Sequence, residues 1–247
     1  MALYLRKKLD NKAEIAVWQI TETEEELLNI TSVPRDEMEE IQLFRNESHR
    51  KQKLAVRALI NEMFEEKMYL NHHDNGKPYL ENCATTISIT HTDKYVAVIT
   101  HDDEEVGIDI ESLDRDFAVV EKKALSEEEI DDLDDEKRNE QLAIYWCAKE
   151  AIFKRMSQNR VDFAEQIEVE HFKLRKEGED EVIHRSCAIV KIKACAHRDG
   201  IILHALSAVL AGHRCGKIDL LRSQQLLISS QRVHVFPGDH RKNLLKI

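Results

Sequence analysis

Glycine and proline are scarce in this chain. The 247 residues include 7 glycines and 3 prolines, and since turns draw heavily on both residue types, this argues against an all-β fold with many turns. Hydrophobic residues make up 42% of the chain, an ordinary share for a soluble globular protein. The composition therefore predicts one large domain or two small ones, built from long helices and modest strands.

Long apolar runs are also missing. The longest, residues 201–211, is too short to span a bilayer and contains His204. Residues 1–10 place a short apolar stretch before the first charges, which is the reverse of a signal peptide. We therefore expect a soluble, cytoplasmic protein with no membrane contact.

Positive charge is in short supply. The chain has 36 Lys and Arg against 47 Asp and Glu, a net charge of −11, so general nucleic-acid binding is not expected. A polyanionic ligand would need a local cluster of basic side chains or a metal ion. The 5 cysteines are odd in number and form no Cys-x-x-Cys pair, so we interpret them as reduced thiols, in keeping with the cytoplasm.

Two stretches of the chain show a similar order of strands and helices. In the first, residues 14–20 predict a strand, amphipathic helices follow, and residues 85–90 and 94–100 predict a hairpin. In the second, residues 106–111 predict a strand, a long helix covers about 137–156, and residues 167–174 predict another strand. The predicted fold class is α+β: a pseudo-dimer of two similar α/β halves, each a small, mainly antiparallel sheet packed on helices.

A short stretch, Gly107-Ile108-Asp109-Ile110-Glu111, carries paired carboxylates. Strand alternation places Asp109 and Glu111 on one face and both isoleucines on the other. Neighbouring carboxylates repel, and a hard cation such as Mg²⁺ relieves the repulsion. Taken alone, the pattern is more often an edge strand with a solvated face.

The long helix carries a second candidate element. Trp146, Glu150 and Lys154 share one helix face, while Ala148 and Ile152 can pack inward. A Glu and a Lys four residues apart most often form a simple surface ion pair. A tryptophan on the same face is less usual for a solvated surface.

Together the two elements resemble the signature pair of the 4′-phosphopantetheinyl transferases, G-I-D-I-E followed by W-x-x-K-E-A. The closer similarity is to the larger, monomeric type that activates peptide synthetases and fatty-acid carrier proteins. Upstream, Gly76-Lys77-Pro78 and residues 87–92 are similar to the family's G-K-P and S-(I/L)-S-H-S segments. Thr90 stands where the family usually has serine, which keeps a hydroxyl. The resemblance covers about residues 40 to 175.

This resemblance implies a set of site residues. Mg²⁺ would be held by Asp109, Glu111 and Glu150, with coenzyme A as co-substrate. Glu150 and Lys154 would be catalytic: Glu150 as metal ligand, base or both, and Lys154 through contact with a phosphate. Further coenzyme A contacts would come from Lys77, Thr90, His91, Lys149 and, with a weaker match, Arg50 and Arg57 at the 3′-phosphate.

The implied reaction is attack by a serine hydroxyl of an apo acyl or peptidyl carrier protein on the β-phosphorus of coenzyme A, with release of 3′,5′-ADP. The implied protein is a monomer that binds neither nucleic acid nor membrane. Other readings remain open. The same carboxylates could serve another Mg²⁺-dependent phosphoryl transfer or a phosphohydrolase, and the chain could be a carrier-binding adaptor without chemistry.

The end of the chain has a different composition. We place an N-terminal half at 1–104, a C-terminal half at 105–212 and an atypical basic tail at 213–247. Residues 184–247 hold eleven Lys or Arg against three Asp or Glu, and the alternating pattern stops after Gly200. Either a genuine extension offers positive charge to an acidic carrier, or a shifted reading frame has replaced the native end. The abrupt change beside intact motifs favours the second.

Overall fold

The computed structural model describes residues 3–9, 12–157 and 160–169, and the backbone of strands at 191–197, 201–207 and 233–235. The strands are β1 (Leu3–Lys8), β2 (Ala13–Gln19), β3 (Leu70–His72), β4 (Pro78–Leu80), β5 (Thr86–His91), β6 (Tyr95–His101), β7 (Val106–Ser112), β8 (Ile167–Val169), β9 (Lys191–His197), β10 (Ile201–Ser207) and β11 (Val233–Val235). The helices are α1 (Glu24–Ile30), α2 (Arg35–Leu43), α3 (Glu47–Met63), α4 (Ala118–Ala124), α5 (Glu127–Asp131), α6 (Arg138–Met156) and α7 (Phe163–Gln166), with a 3₁₀ turn at Asp135–Lys137.

The first sheet has the strand order β1-β2-β6-β5, and every neighbouring pair is antiparallel. One face is covered by α3, whose apolar positions recur at helical spacing. The buried side chains between them include Trp18, Leu54, Leu59, Ile87 and Val98. All of β6 is buried, as expected of a central strand covered on both faces.

Helix starts follow local capping chemistry. Thr23 accepts a hydrogen bond from the amide of Glu26, whose carboxylate bonds back to the Thr23 amide. Ser126 and Glu129 form the same reciprocal pair at the start of α5. These boxes satisfy amides that the first helical turn leaves without partners, so both short helices are fixed by their own sequences.

The second sheet has the order β7-β10-β9 and is also antiparallel. β10 runs the full length of β7, from Ile201 opposite Ser112 to Ser207 opposite Val106. Helix α6 lies against β7 and β10. The approach is closest at Gly107, where a Cβ atom would stand 1.9 Å from the carbonyl oxygen of Ala151. Only glycine allows the helix backbone to come this near to the strand.

β7 also joins the two sheets. Its apolar side chains Val106, Ile108 and Ile110 pack on the face of the first sheet opposite α3, in a cluster with residues such as Ile15 and Ile99. At the edge, β7 runs beside β5. The chain therefore places β7 between the first sheet and α6.

Side-chain hydroxyls connect β5 to β7. The amide of Ile108 donates to Ser88 Oγ at 3.2 Å, and the amide of Ile110 donates to Thr90 Oγ1 at 3.3 Å. We call these two contacts the hydroxyl seam. Ser88 and Thr90 are both buried, so the seam satisfies amides of β7 that water does not reach.

The α+β class and the antiparallel sheets are confirmed, and the predicted helix at 137–156 matches α6. The pseudo-dimer of similar halves, the domain boundaries and the monomeric state stay predictions. The predicted strand at 167–174 begins as β8, and its remainder lies outside the described residues. Pairing of the short β11 with β8 involves residues of the predicted basic tail.

The sequence pattern did not indicate β10, because residues 201–206 are largely apolar and do not alternate. Continuous apolar runs are also typical of strands that are covered on both faces, so the missing alternation did not exclude a strand. None of the helices in the described part of the chain combines the length and the apolar character needed to cross a membrane.

Candidate active site

One face of α6 meets the carboxylate face of β7. Trp146, Glu150 and Lys154, which we call the α6 stripe, lie one turn apart along the helix. The first and last members of the stripe bond to the carboxylates of Glu111 and Asp109. As predicted, the α6 stripe shares one face of its helix. Asp109 and Glu111 share one face of β7, because Ile108 and Ile110 are buried on the opposite face.

Asp109 is held through one of its two oxygens. Thr90 Oγ1 donates to Asp109 Oδ1 at 3.0 Å, and Lys154 Nζ donates to the same oxygen at 2.7 Å. Lys154 also donates to the carbonyl of Ile108 at 3.1 Å. The other oxygen, Oδ2, is buried and accepts no hydrogen bond from the described residues. A buried carboxylate oxygen without a donor is costly, and such an atom calls for a missing ligand.

The thiol of Cys147 borders the same carboxylate. Burial, followed by the charge of Asp109, raises the pKa of Cys147 well above 9.0. The thiol is therefore neutral at physiological pH and is at most a weak donor. A side-chain hydrogen bond between Cys147 and Asp109 contributes to the same shift, but a neutral thiol supplies no compensating charge to the carboxylate.

Glu111 is held by donors on one oxygen as well. Trp146 Nε1 donates to Oε1 at 3.0 Å, and Arg115 Nη1 donates to it at 2.5 Å. Burial, followed by the charge of Asp109, raises the pKa of Glu111, and Arg115 opposes this shift. The charges of Asp109 and Glu111 thus repel each other even with Arg115 in place.

Glu150 occupies the middle of the α6 stripe. Burial, followed by the charges of Asp109 and Glu111, raises its pKa to about 7, with Lys154 acting in the opposite direction. A carboxyl with a pKa near 7 exchanges its proton readily at physiological pH. Strongly shifted carboxyls in a polar cluster are typical of functional sites.

The donor set fits a hard divalent cation. Asp109, Glu111 and Glu150 offer carboxylate oxygens of the kind Mg²⁺ prefers, and Asp109 Oδ2 has no donor among the described residues. Within the described residues, no group of three or more His, Cys, Asp or Glu side chains is drawn together closely enough to hold a metal ion. Lys154 donates to Asp109 and Arg115 donates to Glu111, so each takes a carboxylate oxygen of this donor set.

A cavity lies on either side of this cluster. A smaller one, about 190 Å³, is lined by Gly76, Lys77, Phe153 and Lys154 among others. The Lys77 ammonium forms an ion pair with Glu105 there. Lys77 and Lys154 therefore line the same cavity, where both side chains could contact one polyanionic ligand.

The larger cavity, about 610 Å³, is lined by His49, Gln52, His91, Glu111 and Arg115 among others. Gln52 on α3 donates to the carbonyl of Thr92 at 3.2 Å, which fixes α3 beside the end of β5.

His91 stands at an exposed position at the end of β5. Partial desolvation, followed by the charges of Lys53 and Lys154, lowers the pKa of His91. The ring is thus neutral at pH 7 and lies among cations that an anion could bridge.

Thr90 and Lys149 both have hydrogen-bond partners inside the protein. Thr90 is buried, and its hydroxyl is engaged by the hydroxyl seam and by Asp109. Lys149 is fully buried on another side of α6, where its ammonium donates to Glu129 Oε2 at 2.5 Å and to the carbonyls of Ala124 and Phe163 at 2.7 and 2.9 Å. The structure does not bring Lys149 to the carboxylate cluster.

Arg50 and Arg57 are likewise occupied. The Arg50 guanidinium makes two bonds of 2.8 Å to the carboxylate of Glu24. Arg57 is fully buried, pairs with Glu37 and donates to the carbonyl of Met68 at 2.7 Å. Freeing Arg57 for a phosphate would leave the Glu37 carboxylate without its partner at high cost. The structure therefore gives both arginines a place in holding α3 rather than one at the cluster.

The sequence pattern missed Arg115 and Glu129. Arg115 lies four residues after Glu111, a spacing that could have marked it as a partner of that carboxylate. Glu129 stands three residues after Ser126, so the capping box gave a signal for its position. No sequence pattern indicated the hydrogen bond from Lys149 to Glu129, because the two residues belong to separate helices.

Comparison with known families agrees with this geometry. The model of the 4′-phosphopantetheinyl transferase superfamily matches residues 105–198, which include Asp109, Glu111, Glu150 and Lys154. The match covers less than half of the chain, and it supports phosphopantetheinyl transfer in general as the chemistry of this segment. No curated protein shows a match to the chain.

Proposed function

We propose that the protein transfers the 4′-phosphopantetheine arm of coenzyme A to a serine of an apo acyl or peptidyl carrier protein. The reaction is Mg²⁺-dependent and releases 3′,5′-ADP. The observation that carries this proposal is the buried Oδ2 of Asp109, to which no described residue donates a hydrogen bond. This atom lies beside Glu111, Glu150 and Lys154, within the segment that matches the superfamily.

The proposed ion site consists of Asp109 Oδ2, Glu111 and Glu150. When bound, Mg²⁺ supplies positive charge to the pyrophosphate of coenzyme A and to the oxygens on which negative charge grows. The protein prepares the site by fixing Asp109 from two directions and Glu111 through Trp146. Such preorganisation means that little rearrangement opposes the reaction.

Lys154 neutralises charge at the site. Its ammonium donates to Asp109 and to the carbonyl of Ile108, and its third N–H group can donate to a phosphate oxygen in the cavity it shares with Lys77. A flexible ammonium suits this set of partners better than a planar guanidinium does.

Glu150 is the proposed base. The attacking serine hydroxyl must give up its proton as the bond to phosphorus forms, and a carboxyl with a pKa of about 7 can accept it near neutral pH. Its place between Trp146 and Lys154 on α6 keeps it beside both carboxylates of β7. The proton moves from the serine Oγ to a Glu150 carboxylate oxygen.

The two cavities give coenzyme A room on both sides of the carboxylates. Lys77 lines one and His91 the other, so one elongated polyanion could contact both while its pyrophosphate lies at Asp109. We propose Lys77 and His91 as contacts of the nucleotide end. A monomeric state and a cytoplasmic location remain part of the proposal.

Mass spectrometry of apo carrier proteins tests the reaction. Carriers from fatty-acid, polyketide, peptide-synthetase and aminoadipate pathways are incubated with the protein, Mg²⁺ and coenzyme A. We expect a gain of one phosphopantetheine on at least one carrier, which chelation of Mg²⁺ abolishes. Asp109→Ala should also abolish it, while Glu136→Gln, at an exposed acid away from the cluster, should not.

Different outcomes identify the alternatives. Release of 3′,5′-ADP without a carrier would show a phosphohydrolase, with water as the acceptor. Tight binding of apo carriers, with no mass gain on any of them, would show an adaptor.

A further inference from the structure

The hydroxyl of Thr90 has a complete set of partners inside the protein. It accepts a hydrogen bond from the amide of Ile110 at 3.3 Å and donates its own proton to Asp109 Oδ1 at 3.0 Å. The residue is only 5% exposed. A hydroxyl has a single hydrogen to give, and this one is given to a carboxylate.

A phosphate oxygen needs a donor, so Thr90 has nothing to offer coenzyme A in this arrangement. Its partner, however, is the side chain on which the ion site depends. Thr90 and Lys154 saturate Asp109 Oδ1 from two directions, which leaves Oδ2 as the oxygen to which no described residue donates.

We propose that Thr90 is a positioning residue that fixes the rotamer of Asp109, so that Oδ2 faces the divalent cation, and that it is not a ligand of coenzyme A. The proposal rests on the proposed function, since it deepens the role of the same site. It replaces the nucleotide contact that the sequence resemblance implied for this residue.

Ser88 provides a matched control. It lies two residues earlier on β5, is 4% exposed, and accepts an amide of β7 in the same way as Thr90. It makes no bond to Asp109 among the contacts described. Loss of either hydroxyl removes one link of the hydroxyl seam, but only loss of the Thr90 hydroxyl also releases the carboxylate.

The test compares Thr90→Val, which keeps the shape and loses the hydroxyl, with Thr90→Ser and Ser88→Ala. Mn²⁺, a spectroscopic substitute for Mg²⁺, is titrated against each protein by electron paramagnetic resonance, without coenzyme A. We expect Thr90→Val to bind Mn²⁺ about ten- to a hundred-fold more weakly, the range for a lost charge-assisted hydrogen bond. Thr90→Ser and Ser88→Ala should stay within about threefold of the wild type, since both keep a hydroxyl on Asp109.

Kinetics give the second readout. In Thr90→Val the Mg²⁺ concentration for half-maximal rate should rise while the KM for coenzyme A stays near that of the wild type. Unchanged Mn²⁺ affinity with a raised KM for coenzyme A would overturn the proposal and restore Thr90 as a ligand. If Thr90→Val does not fold, Thr90→Ala is titrated instead, with the same expected loss.

Failure of this inference is distinct from failure of the proposed function. Wild-type protein that modifies no carrier contradicts the function, and the Mn²⁺ titrations decide the role of Thr90 without any carrier. Equal Mn²⁺ affinity in wild type and Thr90→Val contradicts the inference even if transfer is observed.

Discussion

Lys149 and Glu150 are consecutive residues of α6, and their side chains serve different parts of the molecule. Lys149 is fully buried against Glu129, whereas Glu150 is within electrostatic reach of Asp109 on the other side of the helix. One step along a helix turns the side chain by about 100°. In this motif, therefore, Lys149 has a buried structural partner, and Glu150 faces the carboxylate cluster.

Lys149→Met should destabilise the fold by about 3–5 kcal/mol, because it leaves the Glu129 carboxylate buried without its partner. Arg138→Ala, which breaks a more exposed pair with Glu121, should cost about 1 kcal/mol or less. Urea unfolding measures both. The double variant Lys149→Met with Glu129→Leu should recover much of the loss. A Lys149→Met protein with normal stability and weakened coenzyme A binding would instead support the ligand role implied by the sequence.

Glu150→Gln should make the ion-free protein more stable at alkaline pH. The pKa of Glu150 is raised from 4.5 to about 7, so the folded state resists ionisation of this carboxyl. The cost is absent below pH 4.5, grows between pH 4.5 and 7, and is complete above pH 7. With solvent screening, we expect a gain of about 1–3 kcal/mol at pH 8 and none at pH 4.5.

With Mg²⁺ present at pH 8, the wild type should be more stable than Glu150→Gln. The ion stabilises the wild type at pH 8 by binding the ionised carboxylate, and it should have a smaller effect on Glu150→Gln. Thermal unfolding at both pH values, with and without Mg²⁺, checks both statements. An equal shift on Mg²⁺ addition in the two proteins would exclude Glu150 as a ligand.

Arg115→Ala should tighten metal binding. Arg115 forms an ion pair with Oε1 of Glu111, so a cation that binds there must compete with Arg115 for this oxygen. The pair is partly exposed, and its loss should raise Mn²⁺ affinity about two- to fivefold. Lys94→Ala, at another cation lining the same cavity, serves as the control. Weaker Mn²⁺ binding in Arg115→Ala would mean that the arginine supports the geometry of Glu111 instead.

His91 should link coenzyme A binding to pH. Its pKa is lowered, so the ring is neutral at pH 7, and a phosphate beside it would favour the charged form. Binding of coenzyme A should then tighten as pH falls from 8 to 6, and His91→Gln should remove most of this dependence.

The 3′-phosphate can be tested separately. His91→Ala and Lys77→Ala should weaken coenzyme A binding about ten- to a hundred-fold. Calorimetry with coenzyme A and with 3′-dephospho-coenzyme A separates the contribution of this phosphate. If both variants discriminate between the two ligands as strongly as the wild type does, neither residue contacts the 3′-phosphate.

Gly107→Ala should be strongly destabilising, because the new methyl group would overlap the carbonyl oxygen of Ala151. Either α6 moves away from β7 or the strand bends, and both disturb the carboxylate cluster. We expect a loss of stability of several kcal/mol in urea unfolding. Gly76→Ala is an informative contrast, since its cost comes from a positive φ of 83° in open space and not from contact.

The paired carboxylates and the α6 stripe could be predicted because each depends on one periodicity, two residues for a strand and 3.6 for a helix. The roles of Thr90, Lys149 and Arg57 could not, because each is decided by a partner distant in the sequence. A lysine beside the proposed base resembles a ligand until its buried partner Glu129 is seen. β10 was not predicted because its apolar residues do not alternate.

The two edges of β7 are completed at different times during synthesis. β5 precedes β7 in the chain and supplies the hydroxyl seam, whereas β10 follows only after α6, β8 and β9. As the chain leaves the ribosome, the edge of β7 that β10 will cover has no strand partner from this sheet until residue 207 has emerged. An exposed edge can pair with another chain, so a nascent protein halted before β10 would be prone to association. The interval between the synthesis of β7 and that of β10 is therefore the one in which a chaperone would protect this edge.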